Sequence, residues 1–404
     1  MDYWSEGVVT SQSLPRLVMT RDRFRTIWWN LHPSDPDEDS VNDGLLGTER
    51  YDKLFRVKPL YDEVRLACRA FYHPNRQLSV DERMVASKGK TGMTQYMKDK
   101  PTKWGMKLFV VADATNGYSF DFRMYTGRTH TPVVHGLAYD VVMELVDTVV
   151  LGTGYHIYMD NFYTSPALFM ALHSLNIGAC GTYRENRRGC PVGRENALAR
   201  KAERGACRWL RDGPLLFVKW MDTREVSMCS TIHRAFAGEM VQRRVKQPDG
   251  QWVRKRIPCP APIVAYNRYM GGVDRSDQLI QYYSAHRRAS RWYRTIVLHL
   301  FDISTTNAYL LHRTVAQERG ERALDHKAFM MQLCAGLCGV EMSGAPIDKS
   351  TAHVPVAITP ARQKQCRRCS SVDGVRKDTL WQCKACDIPL CLTRNRNCFE
   401  KWHT

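Results

Sequence analysis

The stretch that most constrains the fold runs from Tyr155 to Leu175. Tyr155, Ile157 and Met159 alternate with His156 and Tyr158, the period-two pattern of a strand with one buried face, and the run stops at Asp160. Ser165 followed by Pro166 reads as N-cap and first helical residue, and Leu168, Leu172 and Leu175 give the helix an apolar face. A carboxylate is thus delivered to the carboxyl end of a strand facing a helix start, where open α/β sheets place their chemistry. An isolated Asp at such a point more often only organises a turn, so its weight depends on its company.

Upstream, Lys107 to Ala112 is a β-rich run ending in Asp113, and Asn116-Gly117 is a strong hairpin signal, with Tyr118 to Tyr125 returning. His135 to Val150 then carries Leu137, Val141, Leu145 and Val149 on one helical stripe, and Ile177 to Tyr183 is a further short strand. Hairpin, helix, strand, helix, strand is close to the order of a ribonuclease H-like α/β domain. In that order Asp113 and Asp160 end neighbouring strands. The preceding hundred residues read as helical: Thr20 caps a helix carrying Phe24, Ile27, Trp28 and Leu31, a polar loop follows Pro33, and Tyr51 to Tyr72 is helical with Pro59 kinking or restarting it.

Past Tyr183 basic residues far outnumber acidic ones, and apolar runs are short, so a basic insertion is expected, with strands at Leu215 to Trp220 and Val226 to Ile232. Asp274 and Asp277 share the first turn of a new helix, where acids also serve as plain caps. His286 to Arg294 interleaves cations with aromatics, a composition suited to phosphates and unstacked bases. Long helices continue to about Gly339 and are expected to pack on the N-terminal helices. The segments predicted are 1–102 helical, 103–190 the first stretch of the ribonuclease H-like domain, 191–257 its basic insertion, 258–281 the remainder of the ribonuclease H-like domain, 282–343 helical, 344–365 linker and 366–404 cysteine-rich.

The last six of 14 cysteines lie in that final segment. Cys366-x2-Cys369, Cys383-x2-Cys386, Cys391, Cys398 and His403 have the residue types and spacing of a zinc module. Seven ligands fill one tetrahedral site and leave a second one short, with Asp387 and His353 as candidates for the eighth. A formal net charge of +18 and a pI near 9.4 call for a polyanionic partner, nucleic acid first. There is no apolar run of membrane-spanning length, and Met1-Asp-Tyr-Trp-Ser-Glu6 is not a signal peptide, so a soluble intracellular protein is expected.

These motifs together resemble the piggyBac-type transposases and the cellular proteins derived from them. The resemblance rests on Asp113, Met159-Asp160-Asn161-Phe-Tyr-Thr-Ser165, Gly181-Thr-Tyr-Arg184-x-Asn186-Arg187 and Gly271-Gly-Val-Asp274-x-x-Asp277-Gln278. It extends to Tyr3-Trp4-Ser5, Leu78-Ser-Val-Asp81-Glu82, Lys100-Pro101-x-Lys103-Trp104-Gly105 and the terminal Cys/His module, and so covers essentially the whole chain. It implies a ribonuclease H-like domain with an insertion, a flanking helical dimerisation and DNA-binding domain, and a cross-brace zinc finger that binds element ends.

On the same resemblance, Asp113, Asp160, Asp274 and Asp277 would be the catalytic carboxylates, holding Mg²⁺ or Mn²⁺. Such hard oxygen ligands suit those ions, and two ions roughly 3.5–4 Å apart activate the attacking oxygen and stabilise the leaving one in phosphodiester transfer. The Lys and Arg of the insertion, with Arg184, Arg187, Arg188, Arg287, Arg288, Arg291 and Arg294, would contact DNA. The implied activity is cut-and-paste transposition at TTAA by a nuclear homodimer acting on double-stranded transposon ends. Two alternatives are a transposase-derived DNA-binding protein without recombination activity and, with poor spacing after Cys391, a ubiquitin-ligase RING.

Overall fold

The computed structural model of the chain describes residues 2–4, 12–89, 91–98, 100–127, 135–191, 196–199, 201–247, 249–287, 289, 291–340, 354–358, 363–384, 386–393 and 395–403. These form two compact units, one from Asp22 to Met330 and the other from Met1–Arg21 with Met331–Thr404.

The larger unit is built on a sheet of nine strands among the described residues: β1 (Gln77–Ala86), β2 (Thr94–Tyr96), β3 (Trp104–Asp113), β4 (Ser119–Met124), β5 (His156–Met159), β6 (Gly178–Thr182), β7 (Cys207–Asp212), β8 (Leu215–Met221) and β9 (Glu225–Ser230). Their order is β2-β3-β1-β5-β6-β9-β8-β7, with β4 also on β3. The hairpin at Asn116-Gly117 forms as expected, Gly117 taking a positive φ that other residues rarely adopt. Parallel pairing of β1 with β5 and β5 with β6, across crossover helices, makes the ribonuclease H-like core.

The helices of this unit include α1 (Arg21–Trp29), α2 (Pro36–Gly44), α3 (Lys58–Ala70), α4 (Leu137–Leu145), α5 (Pro166–Ser174), α6 (Ala261–Tyr269), α7 (Gly272–Tyr282) and α8 (Trp292–Glu318), and those from α3 onward cover both faces of the sheet. Leu78, Val80, Ile157 and Met159 meet Val141, Leu145, Leu168 and Leu172 of α4 and α5. On the opposite face Val85, Leu108, Val110 and Phe122 meet Tyr61 of α3, Val273 of α7 and Ile296 and Leu300 of α8. Of the helices expected to share one layer, α3 and α8 do so on this face. No helix among the described residues is long and apolar enough to cross a membrane.

Several expectations are corrected. The first hundred residues are not all helical, because Gln77–Ala86 supplies the strand between β3 and β5, so the 1–102 boundary cuts the sheet. The polar loop after Pro33 contains α2, capped by Asp35 with Pro36 at its start. Tyr158 is as buried as Met159, so β5 is covered on both faces, as parallel strands usually are. The two strands expected in the insertion form, and they join the main sheet: β9 pairs with β6 and carries β8 and β7 with it, leaving β10 (Met240–Lys246) and β11 (Trp252–Pro258) as a separate two-stranded ribbon. The 344–365 linker is partly structured, since Pro355–Ala357 pairs with Trp381–Cys383.

Candidate functional site

Register decides which acids meet. The parallel pairing of β1 and β5 ends at Val80 opposite Met159, so Asp81 and Asp160 follow side by side on strands about 4.8 Å apart. Ser79 and Arg83 face α7, since a Cβ at Gly272 would collide with Ser79 Oγ and Arg83 binds Asp277 and Ser276. Alternation gives Asp81 the same face. Tyr266 of α6 feels both acids: burial, then the charges of Asp160 and Asp81, push its phenol up to about 12.

Burial raises the Asp81 carboxyl to about 7 despite Lys100, whose Nζ lies 3.6 Å from Asp81 Oδ1 and donates to the Glu82 carbonyl at 3.1 Å. Asp160 is likewise raised, by burial first and also by the charge of Glu82, although its Oδ1 accepts from Phe162 N at 2.8 Å. Glu82 is buried too, yet Lys107, 3.3 Å from its Oε1, holds it below the usual range. Crowded carboxylates of this kind repel when ionised, and a divalent cation relieves that. The donor set is oxygen only and fits Mg²⁺ or Mn²⁺.

Asp113 does not join this group. It pairs opposite Leu78 on antiparallel β3, nearer the start of β1 than Asp81, and β1 separates it from β5. It is fully buried, and both oxygens are taken: Oδ2 accepts from Tyr72 Oη (2.8 Å), Asn75 N (2.7 Å) and Asn75 Nδ2 (3.0 Å), and Oδ1 from Thr115 N (2.8 Å) and Thr115 Oγ1 (2.6 Å). The expected Asp113–Asp160 pair is replaced by Asp81–Asp160. Asp81 is legible only within the Leu78-Ser-Val-Asp81-Glu82 motif, because the charged run Asp81-Glu82-Arg83 interrupts the strand pattern.

Asp274 is exposed in the first turn of α7, between Gly272 against Ser79 and Asp277 against Arg83. Asp277 is tied instead to the buried Arg83 guanidinium, which also donates to Ser276 Oγ (2.8 Å) and Ser119 Oγ (3.2 Å). Through Oδ1 it fixes α7 on β1.

The expected arginines divide by environment. Arg184 Nε donates to Asn161 Oδ1 (3.0 Å), and Arg187 Nη2 to the carbonyls of Asn161 and Phe162 (2.9 and 3.0 Å), so both grip the loop after Asp160. Arg188 is exposed beside a cavity of about 660 Å³ shared with Arg187 and Arg211. Arg287 lies over the Trp28 ring at 4.7 Å, and Arg291 donates to Tyr293 Oη at 2.8 Å while remaining exposed. Arg294 is corrected: only 1% exposed, it donates to the Trp29 carbonyl and fixes α1 to α8. Arg288 lies outside the described residues.

In the smaller unit the Cys/His ligands separate into two groups, Cys366, Cys369, Cys391 and Cys398, and Cys383, Cys386 and His403, with the ligand atoms of each within 4.8 Å of one another. They alternate along the chain, as in a cross-brace. The first is a complete Cys₄ set of the kind that binds structural zinc. In the second, His403 Nδ1 bonds the Phe399 carbonyl at 2.7 Å, leaving Nε2 for metal, 3.6 Å from Cys386 Sγ. Asp387 is not a member of this group, and His353 lies outside the described residues. Phe399 and Trp402 fill the core, as expected.

Comparisons with known proteins bear on the family and the fold. The family model described as Transposase IS4 matches residues 1–309, and that of a DDE_Tnp_1-like zinc finger matches 348–404. PiggyBac transposable element-derived protein 3 of Homo sapiens is 27% identical over this whole chain, and PiggyBac transposable element-derived protein 2 of the same species is 27% identical over 78% of it. The chain spans 66% and 52% of those proteins' own lengths. A cryo-EM structure of a piggyBac transposase synaptic complex with hairpin DNA superposes with a TM-score of 0.69 at 22% identity, covering 94% of this chain and 79% of that one.

Proposed function

The chain belongs to the Transposase IS4 family, in its piggyBac branch, and from that premise we propose that it is a cut-and-paste DNA transposase whose carboxylate centre is Asp81, Asp160 and Asp274. The observation that carries this reading is the Val80–Met159 register, which sets two raised-pKa carboxylates together under α6 and α7.

These three acids would hold Mg²⁺ or Mn²⁺, which supplies activation of the attacking oxygen and charge stabilisation on the leaving one. The strands fix Asp81 and Asp160 before substrate arrives, so little reorganisation is needed. Asp277, clamped by Arg83, holds α7 and with it Asp274. Lys100 screens Asp81 from its neighbours and presents a cation at the mouth of the cluster. Arg184 and Arg187 steady the Asp160 loop, and with Arg188, Arg287 and Arg291 line the path for the phosphate backbone. Water frees a 3′ hydroxyl at each element end, this hydroxyl attacks the opposite strand to form a hairpin, and the opened ends join at TTAA. The zinc module reads the ends, and the protein works as a nuclear homodimer on double-stranded DNA.

The names of the curated relatives favour a second reading, a transposase-derived protein that binds DNA without recombining it. Excision from a donor plasmid carrying the flanking genomic repeats separates the two. The parent chain is expected to excise seamlessly with Mg²⁺, and Asp81→Asn and Asp160→Asn to lose at least about 10³-fold in rate while binding the ends normally. Binding without cutting by the parent chain would leave the second reading standing.

A further inference from the structure

We infer that the outward face of the β10–β11 ribbon is a docking surface for the sugar-phosphate backbone of duplex DNA, apart from the carboxylate centre. The inference rests on the DNA reading proposed for the chain and names a surface that this reading does not require.

The ribbon pairs from Met240 opposite Pro258 to Lys246 opposite Trp252. Alternation gives it two unlike faces. Val241, Val245 and Ile257 lie with Trp220 and Cys259 in a core cluster. The other face carries Gln242, Arg244, Lys246, Trp252, Arg254 and Arg256, all exposed.

Register places Arg244 directly opposite Arg254, with Gln242 opposite Arg256 on one side and Lys246 opposite Trp252 on the other. Like charges set across a strand pair destabilise it. Among the described residues no carboxylate forms an ion pair with Arg244, Lys246, Arg254 or Arg256, and Asp222, which reaches the ribbon, is committed to Arg204 and Arg243. A local arrangement that costs stability without an internal offset is expected where function requires it. Its complement is a regular anion. Cations stand about 5 Å apart across the strands and about 7 Å apart along them. Trp252, 61% exposed beside Lys246, adds an apolar ring at the tip end of the strip.

The test uses the full chain and a fluorescein-labelled mixed-sequence duplex of about three helical turns, with anisotropy titrations over a series of salt concentrations. Replacing Arg244, Arg254 and Arg256 together by Ser should flatten the slope of log K against log salt by roughly 0.9 for each phosphate left unneutralised, so by up to about 2.7. Melting of that variant should be unchanged or higher, since a like-charge pair is relieved. The triple Lys variant should keep the parent slope. An unchanged slope in the Ser variant overturns the proposal and leaves the DNA reading intact, as does a Lys variant that loses as much as the Ser one, which marks the loss as structural. A parent chain that binds no duplex at all overturns the DNA reading and this proposal with it.

Discussion

Five hydrogen bonds converge on the two oxygens of Asp113, and the donors come from Tyr72, Asn75 and Thr115. That carboxylate ties the end of β3 to the segment leading into β1. Asp113→Ala would strand those donors in a buried site, at a cost on the order of 3 kcal/mol. A lowered midpoint in urea, together with retained cleavage by whatever fraction stays folded, is the expected result; a fully stable but inactive Asp113→Ala would return Asp113 to the chemistry. Asp160 is legible in the sequence because its strand and helix flanks are both strongly patterned. Asp81 is not, because the alternation of Leu78 and Val80 with Ser79 and Asp81 breaks at Glu82-Arg83, and the burial of these polar residues depends on partners from α7 and Lys107 that are distant in sequence.

At the scale of elements, α7 shows how a helix is aimed. Gly272 lets its first turn press on Ser79, and the Arg83–Asp277 pair fixes the next turn, so Asp274 is held between two anchors on β1. The sequence makes the helix plain, with acids in its first turn, but gives no sign that one of them answers a buried arginine 194 residues earlier. The zinc module presents the converse case, in which spacing alone identifies the ligands and only their grouping awaits the fold. The second group holds Cys383, Cys386 and His403, and β-pairing brings Val354 to it, its carbonyl accepting from Lys384 N at 2.9 Å. Of the two candidates for a fourth ligand, Asp387 stands outside the group. We predict that elemental analysis finds two zinc ions per chain, that His353→Ala lowers this to one, and that Asp387→Ala leaves it at two.

Across the whole molecule, two units are held by different means. The larger one is stabilised by apolar burial on both faces of its sheet, whereas the core of the smaller is largely cysteine. Metal binding in such modules is itself folding free energy. Chelation should therefore remove one calorimetric transition and leave the other near its original temperature; a single transition that shifts as a whole would show the units to be coupled. The element order from β3 to β6 and chain-wide basicity are readable from sequence, but β1, α2 and the domain limits are not, since β1 belongs to a stretch dominated by helical patterning and β7 to one dominated by charge. The central position of β1 also bears on how copies of such a gene decay. On the transposase reading proposed above, a copy eroded from its 5′ end past the codon for Ala86 would lose the strand that joins the two sides of the sheet along with Asp81, and its remainder is expected to have no nuclease activity. On that reading erosion from that side is all-or-none, leaving no intermediate copies able to mobilise their neighbours.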